Sequence, residues 1–250
     1  MVGDSRSAHY LHAIRLDTGT KTRDYPFNLP TVRWLMREGG LPLSPGVTFL
    51  VGENGSGKST LVEAIAVAAG LNPEGGSQNY RFATRSTESE LGEHLVLRWG
   101  TTKPRNRFFL RAESFYNVAT ETERLGPEQI AAVGGRSLHH RSHGESFMDL
   151  MNHRFGPGGL YLMDEPEAAL SPRGCMTVLA RMSELVRQEC QFVVATHSPI
   201  LLATPEATIY QIDEEGAIDV VGFDEALPVS TTREFLARPD HYLRYLLDGA

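Results

Sequence analysis

The chain has 250 residues, 41% hydrophobic and 22% charged, which is enough apolar material for one large α/β domain and unlike a disordered composition. With 31 acidic against 24 basic side chains the formal net charge is −7, which excludes indiscriminate binding to phosphate backbones as the main task but leaves room for a local basic patch. Cys175 and Cys190 stand in neither CxxC nor zinc spacing, and no run approaches the roughly 18 apolar residues of a membrane span. A reduced, cytoplasmic chain with no transmembrane segment of its own is expected, and residues 1–6 lack the apolar run of a signal peptide.

In chain order, residues 12–16 read as a short strand, and the Pro-punctuated stretch 25–30 as a loop. Residues 31–38 read as a helix stopped by Gly39-Gly40. Val47-Thr48-Phe49-Leu50-Val51 is apolar and rich in β-branched residues, as in a parallel strand buried on both faces. Glycines over 52–57 break it, and helical spacing resumes over 59–69. Residues 75–100 read as loop plus antiparallel strand, with Leu95-Val96-Leu97 the ladder, and Phe108-Phe109-Leu110 as another strand. The polar, helical pattern over 115–153 reads as an inserted helical lobe. The core then returns with a strand at 160–163, a helix over 172–188 and a strand at 192–195. A hairpin follows from 209–212 and 218–221, then one closing helix over 231–247.

Gly52-Glu53-Asn54-Gly55-Ser56-Gly57-Lys58-Ser59 satisfies G-x-x-x-x-G-K-[ST] in full, between a strand and a helix. Glycines bring backbone N–H groups of Asn54, Gly55, Ser56 and Gly57 close to phosphate oxygens, and the helix start aims its positive end at the same anion. Lys58 then reaches the β- and γ-phosphates, Ser59 supplies a hydroxyl to Mg²⁺, and Thr60 completes the cradle. The 160–163 strand ends on Asp164-Glu165, at the sheet edge where ligands collect. Asp164 is the expected second holder of Mg²⁺, and Glu165 the acceptor of a proton from attacking water.

These segments, with three more, resemble the ABC ATPase superfamily from about residue 10 onward. The likeness is strongest to its stand-alone, non-transporter branch, which includes RecF-type and structural-maintenance-of-chromosomes (SMC) heads and short AAA-family predicted ATPases. Ser142-His143-Gly144-Glu145 stands where that family has Ser-Gly-Gly-Gln, Glu167-Ala168-Ala169-Leu170-Ser171 matches its D-loop, and Thr196-His197-Ser198 its switch. The resemblance implies a P-loop NTPase fold: a mainly parallel core sheet flanked by helices, an antiparallel β portion and an inserted helical lobe. It implies a single domain over 1–250, with a core lobe near 1–114 and 155–250 and a helical lobe near 115–154.

It further implies an ATPase that closes as a head-to-tail homodimer. Each ATP would be held by residues 54–60 of one copy and capped by Ser142, Gly144 and Glu145 of the other. Glu165 would be the base, with His197 and Lys58 on the γ-phosphate. Arg111-Ala112-Glu113-Ser114-Phe115 takes the place of the Gln-loop, with Glu113, as a further metal contact, or Ser114 in the glutamine's role. The expected load is a DNA-linked or defence-related process. The alternatives are the ATP-binding subunit of a transporter or a slow nucleotide-gated switch for a partner protein.

Other features carry two readings each. His139, His140 and His143 are a signature-loop or solvated cluster rather than a zinc site, for want of partners at ligand spacing. The run 103–111 is a solvated turn feeding a strand, or else a nucleic-acid patch with Phe108 and Phe109 interleaved. Tyr25 and Phe27 are equal candidates for stacking on adenine or packing in the core.

Overall fold

The computed structural model describes residues 9–17, 19, 24–76, 90–113, 120, 124 and 143–248. The strands are β1 (Leu11–Leu16), β2 (Leu41–Pro42), β3 (Val47–Gly52), β4 (Leu95–Trp99), β5 (Asn106–Arg111), β6 (Gly159–Asp164), β7 (Gln191–Ala195), β8 (Thr208–Ile212) and β9 (Ile218–Val221). The helices are α1 (Pro30–Glu38), α2 (Lys58–Ala68), α3 (Leu91–His94), α4 (His143–Arg154), α5 (Pro172–Arg187), α6 (Pro199–Leu202), α7 (Leu227–Ala237) and α8 (Pro239–Asp248).

β3, β6 and β7 are buried at every position, so each needs both faces covered, and a mainly parallel sheet between helical layers provides that. Its strand order is β5-β6-β7-β3-β8-β9, parallel throughout except for the β8–β9 hairpin. Alternation along each strand divides the core in two. Phe49, Val51, Tyr161, Met163, Phe192 and Val194 face a layer holding Phe147 and Leu150 of α4 and Val178 and Met182 of α5. Leu50, Leu162, Val193 and Ala195 face the other way, onto Leu61 and Ile65 of α2 and onto the small sheet. Phe155 stacks on Tyr161 at 4.1 Å between centroids, and each such fully buried aromatic contributes roughly 1.5–3 kcal/mol through apolar burial.

The antiparallel portion is the sheet β2-β1-β4. Gln191, fully buried in β7, fastens it to the main sheet. Its Oε1 accepts from Tyr10 N and Leu11 N, while its Nε2 donates to Leu11 O and Ser44 O, all at 2.9–3.0 Å. An amide saturated by backbone on both ends fixes the angle at which β1 meets the core.

Expected elements recur close to their places, with one correction. The closing pattern over 231–247 is not one helix but two, α7 and α8. Pro239 has no N–H with which to continue α7, and its fixed φ suits it to begin α8. Most of the expected helical lobe, like His139 and His140, lies outside the described residues; of 115–154 the structure describes residues 120, 124 and 143–154. No helix among the described residues is long and apolar enough to cross a membrane.

Candidate nucleotide site

The loop between β3 and α2 has the backbone that its glycines permit. Gly55 and Gly57 sit at φ 83° and 96°, the left-handed region that a side chain would oppose, and Gly57 is the residue from which α2 starts. Thr31, at the start of α1, donates its hydroxyl proton to Ser56 O and so pins the loop from the side. Lys58 is 4% exposed, and its Nζ donates to Gly52 O and Glu53 O at 2.9 Å each. Burial pushes its pKa down, and the nearby carboxylates, Glu165 and Asp164 foremost, push it back up.

An open cleft of about 210 Å³ lies over this loop. Asn54, Gly55, Gly57, Lys58, Ser59 and Thr60 line it, together with Glu165 from the end of β6 and Tyr25 from the loop before α1. The two aromatic candidates are therefore placed differently: Tyr25 borders the cleft at 65% exposure, whereas Phe27 is packed in the core, edge-on to His94.

β6 is separated from β3 by β7 alone, which brings Asp164 and Glu165 beside the loop. Burial raises the Asp164 pKa to about 6, against a hydrogen bond from Ser59 and the Arg111 guanidinium, which lower it. Glu165 N still donates to Ala195 O at 2.9 Å, so the sheet ladder reaches it, but its own φ is 47°. A non-glycine residue in that region is uncommon, and Glu189 and Glu206 are the other described residues that share it. His197, from the loop after β7, has its Nε2 3.8 Å from Glu165 Oε1.

The D-loop and the switch are joined within one chain. Glu167, in a 3-10 turn over Pro166–Ala169, accepts from Thr196 Oγ1 at 2.8 Å and from His197 N at 2.5 Å. Pro199 then opens α6, with Ser198 Oγ accepting from Leu201 N as its cap. The sequence reading placed Glu167 in the D-loop and missed this contact; carboxylate and donors are about 30 residues apart, with no spacing to betray them.

The remaining predicted residues are less central. Gly144 lies in the first turn of α4, where an added Cβ would come 3.3 Å from Ala169 O, so this turn packs on the D-loop; Glu145 beside it is exposed. Ser142 lies outside the described residues. Glu113 is 77% exposed at its side chain and pairs with Arg111 at 3.4 Å, one step away from Asp164 rather than beside the loop. Ser114 is outside the described residues.

Four buried polar atoms around the loop and Asp164 lack hydrogen-bond partners: Ser56 Oγ, Asp164 Oδ1, His197 Nε2 and Arg111 Nε, the last ion-paired with Asp164 Oδ2. Buried polar atoms are rarely left unmatched unless a ligand or ion satisfies them. Oxygen donors from Ser59 and Asp164 suit a hard cation such as Mg²⁺, which takes one or two protein oxygens and draws the rest from phosphate and water. Among the described residues, no group of three or more His, Cys, Asp or Glu is arranged to hold a metal ion.

The AAA domain family matches residues 32–129, a span that contains the loop and α2. A Geobacter sulfurreducens protein named as an ABC transporter ATP-binding protein is 28% identical over 167 residues, covering 60% of this chain and 58% of that one. The macrolide export ATP-binding/permease protein MacB of Hahella chejuensis is 26% identical over 226 residues, covering 79% of this chain and 33% of its own. The chain thus spans 58% and 33% of the lengths of these two relatives. Among solved structures, the SMC head domain from Thermotoga maritima is 17% identical with a TM-score of 0.43, covering 85% of this chain and 98% of that one. With a complete phosphate loop on its strand and helix, a carboxylate pair at the neighbouring edge and a match to the AAA domain over 32–129, the chain is a P-loop ATPase domain.

Proposed function

We propose that the chain binds ATP with Mg²⁺, hydrolyses it, and uses the nucleotide to hold two copies of itself together. The observation that carries this reading is the convergence of Lys58, Ser59 and Glu165 on one cleft from two elements far apart in sequence, with Asp164 behind it hydrogen-bonded to Ser59. Backbone N–H groups over 54–60 and the start of α2 would bind the phosphates, and Lys58 would exchange its carbonyl partners for phosphate oxygens. Ser59 and Asp164 would hold the cation, which when bound neutralises charge on the phosphate oxygens. Glu165 would accept the proton of the attacking water, and His197, held at its backbone by Glu167, would meet the γ-phosphate. Tyr25 has the exposure and position to stack on the base.

In the paired state, Ser142, Gly144 and Glu145 of a second copy would close over the γ-phosphate, with residues 115–154 forming the lobe that carries them. Hydrolysis removes the shared phosphate and loosens the pair, so the output is a timed change of shape. Service to a membrane partner supplied by another chain or segment is favoured by the two relatives named for transport. The DNA-linked reading draws its support from the variant Ser-His-Gly-Glu over 142–145.

Glu165→Gln tests the core of this proposal. It should leave ATP binding intact, nearly abolish turnover, and accumulate a dimer visible by size-exclusion with light scattering. Turnover at the wild-type rate would rule out Glu165 as the base. Adding duplex DNA to the wild-type ATPase at low and moderate salt separates the loads: stimulation that fades with salt supports DNA, and a flat response supports a protein or membrane partner.

A further inference from the structure

We infer that Arg111 is the positioning residue that holds the cation-binding carboxylate of Asp164 in place, as the hub of an ion-pair ring joining the phosphate-loop helix to two strands. The inference rests on the proposed Mg²⁺·ATP site and assigns a residue outside it. Arg111 ends β5 directly opposite Asp164 in the parallel register of β5 and β6, and Ala112 N donates to Asp164 O at 3.2 Å. Backbone pairing thus brings the two side chains to the same sheet edge.

The guanidinium divides its nitrogens among three carboxylates on three segments. Nε lies 3.3 Å from Asp164 Oδ2, Nη1 donates to Glu63 Oε2 at 3.0 Å, and Nη2 is 3.4 Å from Glu113 Oε2. Glu63 stands on α2 four residues beyond Ser59, on the same helix face, and Ser59 itself hydrogen-bonds Asp164. The ring Ser59–Asp164–Arg111–Glu63 therefore closes back onto the helix that begins at the phosphate loop. Three of its side chains are well covered: Asp164 is 4% exposed, Glu63 12% and Arg111 23%.

The consequence for the site is at the other oxygen. With Oδ2 facing Arg111, Oδ1 is buried without a hydrogen-bond partner, which leaves it to a cation. The Nε–Oδ2 contact is an ion pair without a hydrogen bond, so its hold on the carboxylate comes from where the planar guanidinium, anchored by Nη1 on Glu63, sets its charge, a placement that a lysine ammonium would not reproduce. Charge alone predicts the opposite effect, since a cation beside a cation site weakens binding and its removal should strengthen it. The sign of the response therefore distinguishes positioning from simple repulsion.

The experiment measures the affinity of a fluorescent ATP analogue with EDTA and across a Mg²⁺ titration, for wild type, Arg111→Lys, Arg111→Met and Glu63→Gln. Loss of a residue that orients a metal ligand typically costs about 10–100-fold in metal affinity. Arg111→Lys and Arg111→Met should raise the Mg²⁺ concentration at half-effect by about that factor and leave the affinity in EDTA unchanged. Glu63→Gln keeps Arg111 against Asp164 but loosens its anchor, so it should shift the half-point in the same direction by less. It also carries the test should the Arg111 variants fail to fold, as thermal denaturation would show. An unchanged half-point in the folded variants, or tighter Mg²⁺ binding in Arg111→Met, overturns the inference while the nucleotide site stands. Wild-type protein that binds no nucleotide at all overturns the site and the inference together.

Discussion

Replacing Glu167 by Gln should slow turnover without weakening nucleotide binding. The carboxylate accepts from Thr196 Oγ1 at 2.8 Å and His197 N at 2.5 Å, and hydrogen bonds to a charged partner contribute roughly 1.5–3 kcal/mol each, against about 1 kcal/mol for neutral ones. In Glu167→Gln one acceptor becomes an NH₂ donor. It then faces either the His197 N–H, another donor, or a Thr196 hydroxyl whose oxygen already accepts from Ser198 N at 3.0 Å. One contact is weakened and the other lost or inverted, a loss of about 2 kcal/mol concentrated on the segment that carries His197. If half or all of that appears in the barrier, kcat falls by about 5- to 30-fold, at roughly 1.4 kcal/mol per tenfold. The loop over 52–59 is untouched, so the affinity for ATP should hold. Steady-state ATPase rates, equilibrium nucleotide binding and thermal denaturation on the same preparations decide the matter. Wild-type kcat in the variant refutes the link from Glu167 to His197, as does a fall in ATP affinity equal to the fall in rate.

The aromatic pair should separate cleanly. Tyr25→Ala, at a 65% exposed position on the cleft, should weaken ATP binding by the roughly 1–3 kcal/mol of a base–aromatic stack and leave the melting temperature almost unmoved. Phe27→Ala, at 2% exposure, should cost about 3–5 kcal/mol of stability, read by chemical denaturation. Asp164 predicts a pH dependence of the nucleotide-free protein. Its pKa of about 6 in the fold exceeds the ordinary 3.8, so the folded state holds a proton that the unfolded state has released. Its contribution is complete below the ordinary value and is lost as pH rises through about 6. Melting curves in EDTA should show a declining stability across that window which Asp164→Asn removes; parallel profiles for the two proteins would contradict it.

The strand, loop and helix of the proposed phosphate site were legible because their signals are local. A run buried at every position, a glycine break and a helix starting on Lys-Ser specify strand, loop and helix over 47–68 without reference to the rest of the chain. Asp164 and Glu165 were legible for the same reason, as charge at the end of an apolar run. The closing helix was misread because a proline within a helical period can begin a second helix as readily as it kinks one, and hydrophobic periodicity is blind to the difference.

By itself, then, the sequence determined a strand–loop–helix able to cradle a triphosphate and a carboxylate pair able to serve it, since each depends on neighbours within about ten residues. Only the tertiary structure decided that Tyr25 faces the cleft while Phe27 fills the core, that Glu167 grips His197, and that Arg111 ties Glu63 to Asp164. Those choices depend on strand order and register, which bring together residues separated by 29 to 53 positions, and on burial, which makes each misplaced charge too costly to leave without a partner.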